Sequence, residues 1–347
     1  MREFGVGGEM IRLSILDQAP ISAGQSPQDA LLHSLKLAQA GERLGYTRYW
    51  IAEHHDLPGL ACPAPEVMLG YIGGQTNSIR IGSGAVLLPH YKTYKVAEVY
   101  NLLSTLFPNR IDIGIGRAPG GSAEATNALS ENFLQQVWKM PELIDMLLHF
   151  IHRDFPIGHE FATLKAAPVP AIPPTPWLLG TSQKSAKLAA EKGLAYTFGL
   201  FMSDKDGEEI VQEYRNNYIP RNEGDKPQVM VTVSAICAKT SEEAEEIALS
   251  SYVWGKQREK GEGTDGVPSI SKAKSYLEKE NLHVGFEKMK QRVIVGNPKE
   301  VKDKLQELKH RYHADEIMIV TITHSQKDRL TSYELIAKEV GLPILND

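Results

Sequence analysis

The sequence predicts a (β/α)8 barrel, the TIM-barrel architecture, and three observations carry that prediction. Short apolar runs rich in strand-forming residues alternate with amphipathic helical stretches along nearly all of the 347 residues. Eight such strands can be picked out, each with a helix after it, which suits a closed barrel better than an open doubly wound sheet. No glycine-rich dinucleotide fingerprint follows the first strand, and that counts against the open-sheet alternative. The length prior alone would allow two domains. The alternation along the chain favours one barrel domain over residues 1–347, with residues 1–10 as a polar tail, because Met10 immediately precedes the first strand.

Strand one is expected over Arg12 to Leu16 and ends in Asp17-Gln18-Ala19-Pro20. Ser26-Pro27 then opens a helix, serine capping and proline at the first position, and Gly45 ends it. Leu31, Leu35, Ala38 and Leu44 give that helix its apolar face. Strand two covers Tyr49 to Ala52, a helix runs from about Pro65 to Gln75, and strand three covers Ile79 to Leu88. Val96 to Phe107 reads as a helix, Arg110 to Ile115 as strand four, and about Phe133 to His152 as a long helical region. Five prolines between Pro168 and Pro176 forbid regular helix there. Strand five is Trp177 to Leu179, with a helix over Ser182 to Lys192; strand six is Ala195 to Phe198, with a helix over about Lys205 to Tyr218. Strand seven is the β-branched run Val229 to Ala238. Strand eight is Glu316 to Thr321, with a helix before it over Lys299 to His310 and another after it near Tyr333 to Val340.

One interval breaks this rhythm. Residues 255–291 are dense in Lys, Arg, Glu and Gly, too long for an ordinary connection and too charged for core, so they read as an insertion. Such an insertion is either a solvated excursion or a mobile lid over the barrel mouth.

Composition narrows the function classes. A net charge of −5 gives no basic footprint for nucleic acid. Cys62 and Cys237 stand alone and far apart, without disulfide or zinc spacing. No apolar run is long enough to span a bilayer, and Met1 to Glu9 lack an apolar signal core. A cytoplasmic globular protein is the expectation.

The chemistry concentrates where strands end. Trp50-Ile51-Ala52-Glu53-His54-His55 is a buried-strand pattern that stops in one carboxylate and two imidazoles. Barrel enzymes place reactive groups in this way, on loops that a strand holds in position. Successive strand side chains point to opposite faces, so His54 and His55 cannot both enter one site, which argues against a two-histidine metal centre. One imidazole, His54, is left for acid–base work. His55 reads as a histidine bound to loop groups, and Glu53 either orients the site or pairs with a neighbouring cation. Strand four ends in Gly114-Ile115-Gly116-Arg117, where a lone arginine among glycines offers a fork of donors to an anion. Strand five ends in Gly180-Thr181-Ser182-Gln183-Lys184-Ser185 at a helix start, a ready phosphate site. The bland readings are a rim salt bridge for Arg117 and a plain N-cap for Ser182. Together, at one end of one barrel, these groups point to a phosphate-bearing ligand beside His54, with the reaction unnamed.

The order and spacing of several segments then resemble the bacterial luciferase-like monooxygenases. They are Trp50 to His55, Ile81-Gly82-Ser83-Gly84-Ala85-Val86-Leu87-Leu88-Pro89-His90, Asn101-Leu102-Leu103, Arg110 to Arg117, Gly180-Thr181-Ser182 and Val295-Gly296-Asn297-Pro298, covering nearly the whole chain from Leu13. The resemblance implies an FMN-dependent monooxygenase that oxygenates a small organic substrate with reduced FMN and O2, through a flavin hydroperoxide. A separate reductase would supply the reduced FMN. It implies that His54 is catalytic and manages protons beside the flavin, that Arg117, Thr181, Ser182 and Ser185 hold the flavin phosphate region together with Gly116, and that a cis peptide joins Gly84 and Ala85 against the ring. A homodimer is also implied, for which the apolar face of the Val96 to Phe107 helix is a candidate. Where the light-emitting members carry a reactive cysteine, this chain has Gly116, and Ala118-Pro119-Gly120-Gly121 also depart from them, so bioluminescence is not expected. Two alternatives stay open at this point: hydride transfer with a deazaflavin (F420), and a non-catalytic flavin-binding protein.

Overall fold

The computed structural model describes residues 11–345, so the tail expected at 1–10 lies outside the described residues. The first half of the chain runs β1 (Leu13–Asp17), α1 (Pro27–Arg43), β2 (Arg48–Ile51), α2 (Pro65–Gly73), β3 (Arg80–Leu87), α3 (Thr93–Leu106) and β4 (Ile111–Gly116). Three helices follow, α4 (Ala123–Leu129), α5 (Phe133–Trp138) and α6 (Met140–His152). Then come β5 (Thr175–Gly180), α7 (Gln183–Glu191), β6 (Ala195–Gly199), α8 (Glu208–Asn216) and β7 (Val229–Cys237). The remainder is α9 (Ser241–Glu259), α10 (Ile270–Lys279), α11 (His283–Met289), β8 (Ile294–Gly296), α12 (Pro298–Arg311), β9 (Glu316–Val320) and α13 (Gln326–Val340).

Eight of the strands close a parallel barrel in the order β6-β5-β4-β3-β2-β1-β9-β7, with β6 paired back to β7. Local chemistry explains the helix starts. Ser26 and Asp29 form a reciprocal capping box ahead of α1, and Asn297 and Glu300 do the same ahead of α12. Along each strand, alternate residues face the helices or the barrel interior. Tyr49 and Ile51 belong to the large core beneath the helices, whereas Trp50 and Ala52 pack inside the barrel with Leu16, Trp177, Met230 and Met318.

The barrel floor is ionic. Arg48, buried at the first position of β2, donates to Asp112 at 2.7 Å and to Glu316 at 2.8 Å, and Arg80 and Trp50 Nε1 also donate to Asp112. Ser14 adds its hydroxyl to Glu316, and the Arg48 guanidinium lies 4.8 Å from the Trp177 ring centroid. The two carboxylates push the Arg48 pKa up despite the cost of burial. Above this floor lies the apolar layer, and above that the strand ends open into the site.

Three expectations need correction. The helical region over Phe133 to His152 is two helices, because Pro141 belongs in a first turn and restarts the helix after Lys139. A further helix, α4, precedes them. Between the insertion and α12 a short strand, β8, pairs only with the far end of β7, in register Ala235 with Ile294. Residues 255–291 are not too charged for core: α9 runs on into them, and Ala273, Leu277 and Phe286 are buried with Ile247, Tyr252 and Val253 in a second hydrophobic cluster. Their charges occupy the outer faces of amphipathic helices.

Candidate active site

The site lies at the C-terminal ends of the strands, where β2 delivers Glu53, His54 and His55 in succession. Continuing the alternation set by Trp50 and Ala52 sends His54 inward and its two neighbours outward. The contacts agree. Glu53, only 3% exposed, accepts from the Tyr91 hydroxyl at 2.6 Å, from His55 Nε2 at 2.7 Å and from the Leu87 N–H at 3.0 Å. It therefore ties the end of β2 to the end of β3. His55 is committed to this clamp, and its own N–H bonds the Gly120 carbonyl. Glu53 orients the strand end, and its imidazole partner is His55.

His54 is held differently. Its backbone N–H donates to the Cys62 carbonyl at 3.0 Å, but its ring Nδ1 is buried without a partner. Burial first, then the charges of Arg258 and His55, bring its pKa down to about 4. The ring is accordingly neutral near pH 7, able to take up a proton if a ligand compensates. Among the described residues no group of three His, Cys, Asp or Glu is placed to hold a metal ion.

The Gly84–Ala85 peptide is cis, and the β3–β4 register shifts there. The space the nearby glycines leave is taken up by neighbours rather than by an open floor. A Cβ on Gly84 would stand 2.6 Å from Leu16 Cδ1, and one on Gly116 would stand 2.8 Å from Ala85 Cβ. Gly116 thus lets the ends of β3 and β4 touch.

The phosphate candidates converge. Ser182 caps α7, and Ser182 and Ser185 exchange side-chain-to-backbone bonds at 3.4 and 3.2 Å. The exposed Arg117 reaches across from β4 to donate to Ser182 Oγ at 3.4 Å, and no acidic side chain among the described residues pairs with it. Thr181 precedes the cap, half-buried, with its methyl toward Gly199 of β6. Ser185 is buried and shares a 3.0 Å hydrogen bond with the Tyr196 hydroxyl. A fixed cation beside a helix N-terminus and two hydroxyls is the donor set a phosphate monoester dianion requires.

Sequence reasoning missed Tyr196, Thr197 and Arg258. Thr197 Oγ1 and Trp177 Nε1 are buried without partners, and Thr197 lies two residues beyond Ala195, which packs inside the barrel. A strand threonine carries no signal of this kind. A surface hollow of about 690 Å³, lined by Arg12, Arg215, His310 and His313, lies at the opposite end of the barrel, where β1 and β9 begin.

A family model described as luciferase-like monooxygenase matches residues 11–315. The chain is 42% identical over 330 residues to the Bacillus subtilis protein YceB, covering 95% of this chain and 99% of that one. It is 37% identical over 334 residues to an N-acetyl-S-alkylcysteine monooxygenase of Bacillus subtilis, covering 95% and 98%. Among solved structures, apo-MsnO8 superposes with a TM-score of 0.87 at 32% identity, covering 96% of this chain and 99% of that one. The oxygenating constituent of 3,6-diketocamphane monooxygenase from Pseudomonas putida, solved with FMN, shares the fold at a TM-score of 0.70 and 20% identity, covering 97% and 99%.

Proposed function

Since the chain belongs to the luciferase-like monooxygenase family, we propose that it is a cytoplasmic, FMN-dependent monooxygenase that takes reduced FMN from a separate reductase and uses O2 to oxygenate a small organic substrate. The observation that carries this reading is Arg117, without an acidic partner among the described residues, beside the Ser182 cap of α7 and in the same barrel mouth as His54. The residues present fit the cofactor. Arg117, Ser182 and Ser185 would hold its phosphate, with Thr181 beside them. The ends of β3 and β4 at Gly84, Ala85 and Gly116 would flank the ring, and the orphaned Thr197 Oγ1 offers a hydrogen bond.

When bound, reduced FMN supplies the electrons that activate O2 for transfer of one oxygen atom to the substrate. The protein's own part is to position and to keep water out. Glu53 fixes the ends of β2 and β3 relative to each other, so that His54 keeps a constant distance from whatever lies on the Gly84–Ala85 side. His54, neutral at working pH, accepts a proton at Nδ1, the atom that has no protein partner. Segment 255–291 would cover the mouth, a reading supported by the backbone bonds of Val267 to Ile21 and Ala23 in the loop after β1. The relative named for N-acetyl-S-alkylcysteines makes small thioethers the first substrates to screen.

The test is anaerobic titration with reduced FMN and, separately, reduced deazaflavin, followed by admission of air with candidate substrates. Stoichiometric binding of reduced FMN and substrate-dependent O2 uptake are expected. Binding of the deazaflavin alone would move the assignment to hydride transfer, and FMN binding without any substrate oxidation would leave a flavin carrier.

A further inference from the structure

Between Lys256 and Glu262, at the end of α9, all charged side chains but one are paired. Lys256 holds Glu259, Lys260 holds Glu280, and Glu262 accepts from Tyr276. Arg258 is the exception. It has no carboxylate partner among the described residues and lies against the Trp254 indole, with its guanidinium carbon 4.9 Å from the ring centroid. Its position in the last turn of α9 accounts for a cation there, since helix C-termini favour one. It does not account for a cation set against an indole without an acid.

The fold determines where that guanidinium stands. Trp254 packs on Gly59, in the loop that follows His54 and His55; a Cβ on Gly59 would come within 2.7 Å of Trp254 Cζ2. Just beyond α9, Val267 is hydrogen-bonded in both directions to the loop after β1, its N–H to the Ile21 carbonyl and its carbonyl to the Ala23 N–H, each at 2.8 Å. The Ile21 N–H in turn bonds the Gly59 carbonyl at 2.8 Å. The end of α9 is thus laced to the two loops that border the His54 side of the mouth. The acid of the His54 loop, Glu53, faces away from this side and is spent on His55, Tyr91 and Leu87, so Arg258 meets no carboxylate there.

From this arrangement we infer that the substrate is an organic anion, a small carboxylate whose charged end pairs with Arg258 while its apolar body enters the barrel beside His54. The inference rests on the monooxygenase reading and sharpens it to a substrate class. A guanidinium braced on an indole loses little freedom on binding and matches a carboxylate with two parallel N–H donors. The interior side of the ends of β1, β2 and β9 is apolar, through Leu16, Ala52, Met318 and Val320, so the charge of such a ligand would have its partner at the rim and its body toward these side chains.

The test reads binding, not turnover. Isothermal titration of the whole protein, with and without oxidised FMN, would compare carboxylates with their uncharged primary amides: N-acetylmethionine, hexanoate and benzoate against N-acetylmethioninamide, hexanamide and benzamide. At least one acid is expected to bind more tightly than its amide by about tenfold or more, and Arg258→Gln is expected to abolish that preference while leaving amide binding in place. Arg258→Lys keeps the charge but not the fork and should retain part of the preference. Unchanged FMN binding and thermal unfolding in both variants would show that the fold is intact. An acid preference that survives Arg258→Gln overturns the inference, as does failure of every acid to bind to the wild-type protein. FMN binding is scored separately. A carboxylate site without FMN binding would overturn the flavin reading alone, and FMN binding without a carboxylate preference would overturn this inference alone.

Discussion

Replacing His54 with glutamine should remove a specific part of the protein's acid sensitivity. In the folded protein His54 stays neutral down to about pH 4, because burial and the charges of Arg258 and His55 oppose protonation; in the unfolded chain it takes up a proton near its ordinary 6.5. Between those two values the unfolded state binds more protons, so stability present above pH 6.5 is lost as the pH falls and is fully lost near pH 4. The interval from 6.5 down to about 4, at about 1.4 kcal/mol per pH unit, sets a ceiling of about 3 kcal/mol. At pH 5 the same relation gives about 2 kcal/mol. Urea unfolding of the wild-type protein and of His54→Gln at pH 7 and pH 5 measures it. His33 and His152, whose pKa values burial also lowers, remain in both proteins and cancel in the comparison. The wild-type protein should lose about 2 kcal/mol more than the variant on this step. Losses equal to within about 0.5 kcal/mol would refute a neutral, desolvated His54 and with it the proton-accepting role.

Three further outcomes are expected. Arg117→Ala should weaken FMN binding by about tenfold to a hundredfold with little change in thermal unfolding, since Arg117 is exposed; flavin fluorescence titration measures this, and unchanged affinity would place the phosphate elsewhere. Glu53→Gln should cost about 2–4 kcal/mol of stability, because a buried carboxylate serves three donors there; a urea midpoint close to that of the wild-type protein would show that the clamp is dispensable. Leu102 and Leu106 of α3 are exposed, as are Val67 and Tyr71 of α2, whereas Val96 and Leu103 are buried on the barrel side. If these outward residues form a homodimer seam, Leu106→Asp should shift sedimentation equilibrium from dimer to monomer, and an unshifted dimer would rule this seam out.

Local order was legible in the chain because it is written in neighbouring residues. Ser26-Pro27 and Gly180-Thr181-Ser182 announce helix starts by their own hydrogen-bonding chemistry, and both serve as starts in the structure. The separation of His54 from His55 followed from the two-residue period of a strand, and their different partners in the structure show the same separation. The break at Pro141 was equally local, but it was overlooked within an apolar run that suited a longer helix. The buried helices after residue 259 were hidden because a stretch rich in charge dilutes the apolar stripe of each short helix.

By itself, then, the sequence determined the barrel, the positions of its strand ends and the residue types gathered there, since periodicity, capping and glycine placement act over a few residues. Only the tertiary structure decided which of those groups are spent and which are free. Arg48, Asp112 and Glu316 look like ordinary strand-flanking charges until the closed barrel brings them together as its floor. Arg258 is one of many cations in a charged segment until α9 folds back over the loop after β2. A charge acquires its meaning from its burial and its partners, and those are supplied by residues that the chain holds far apart until it closes.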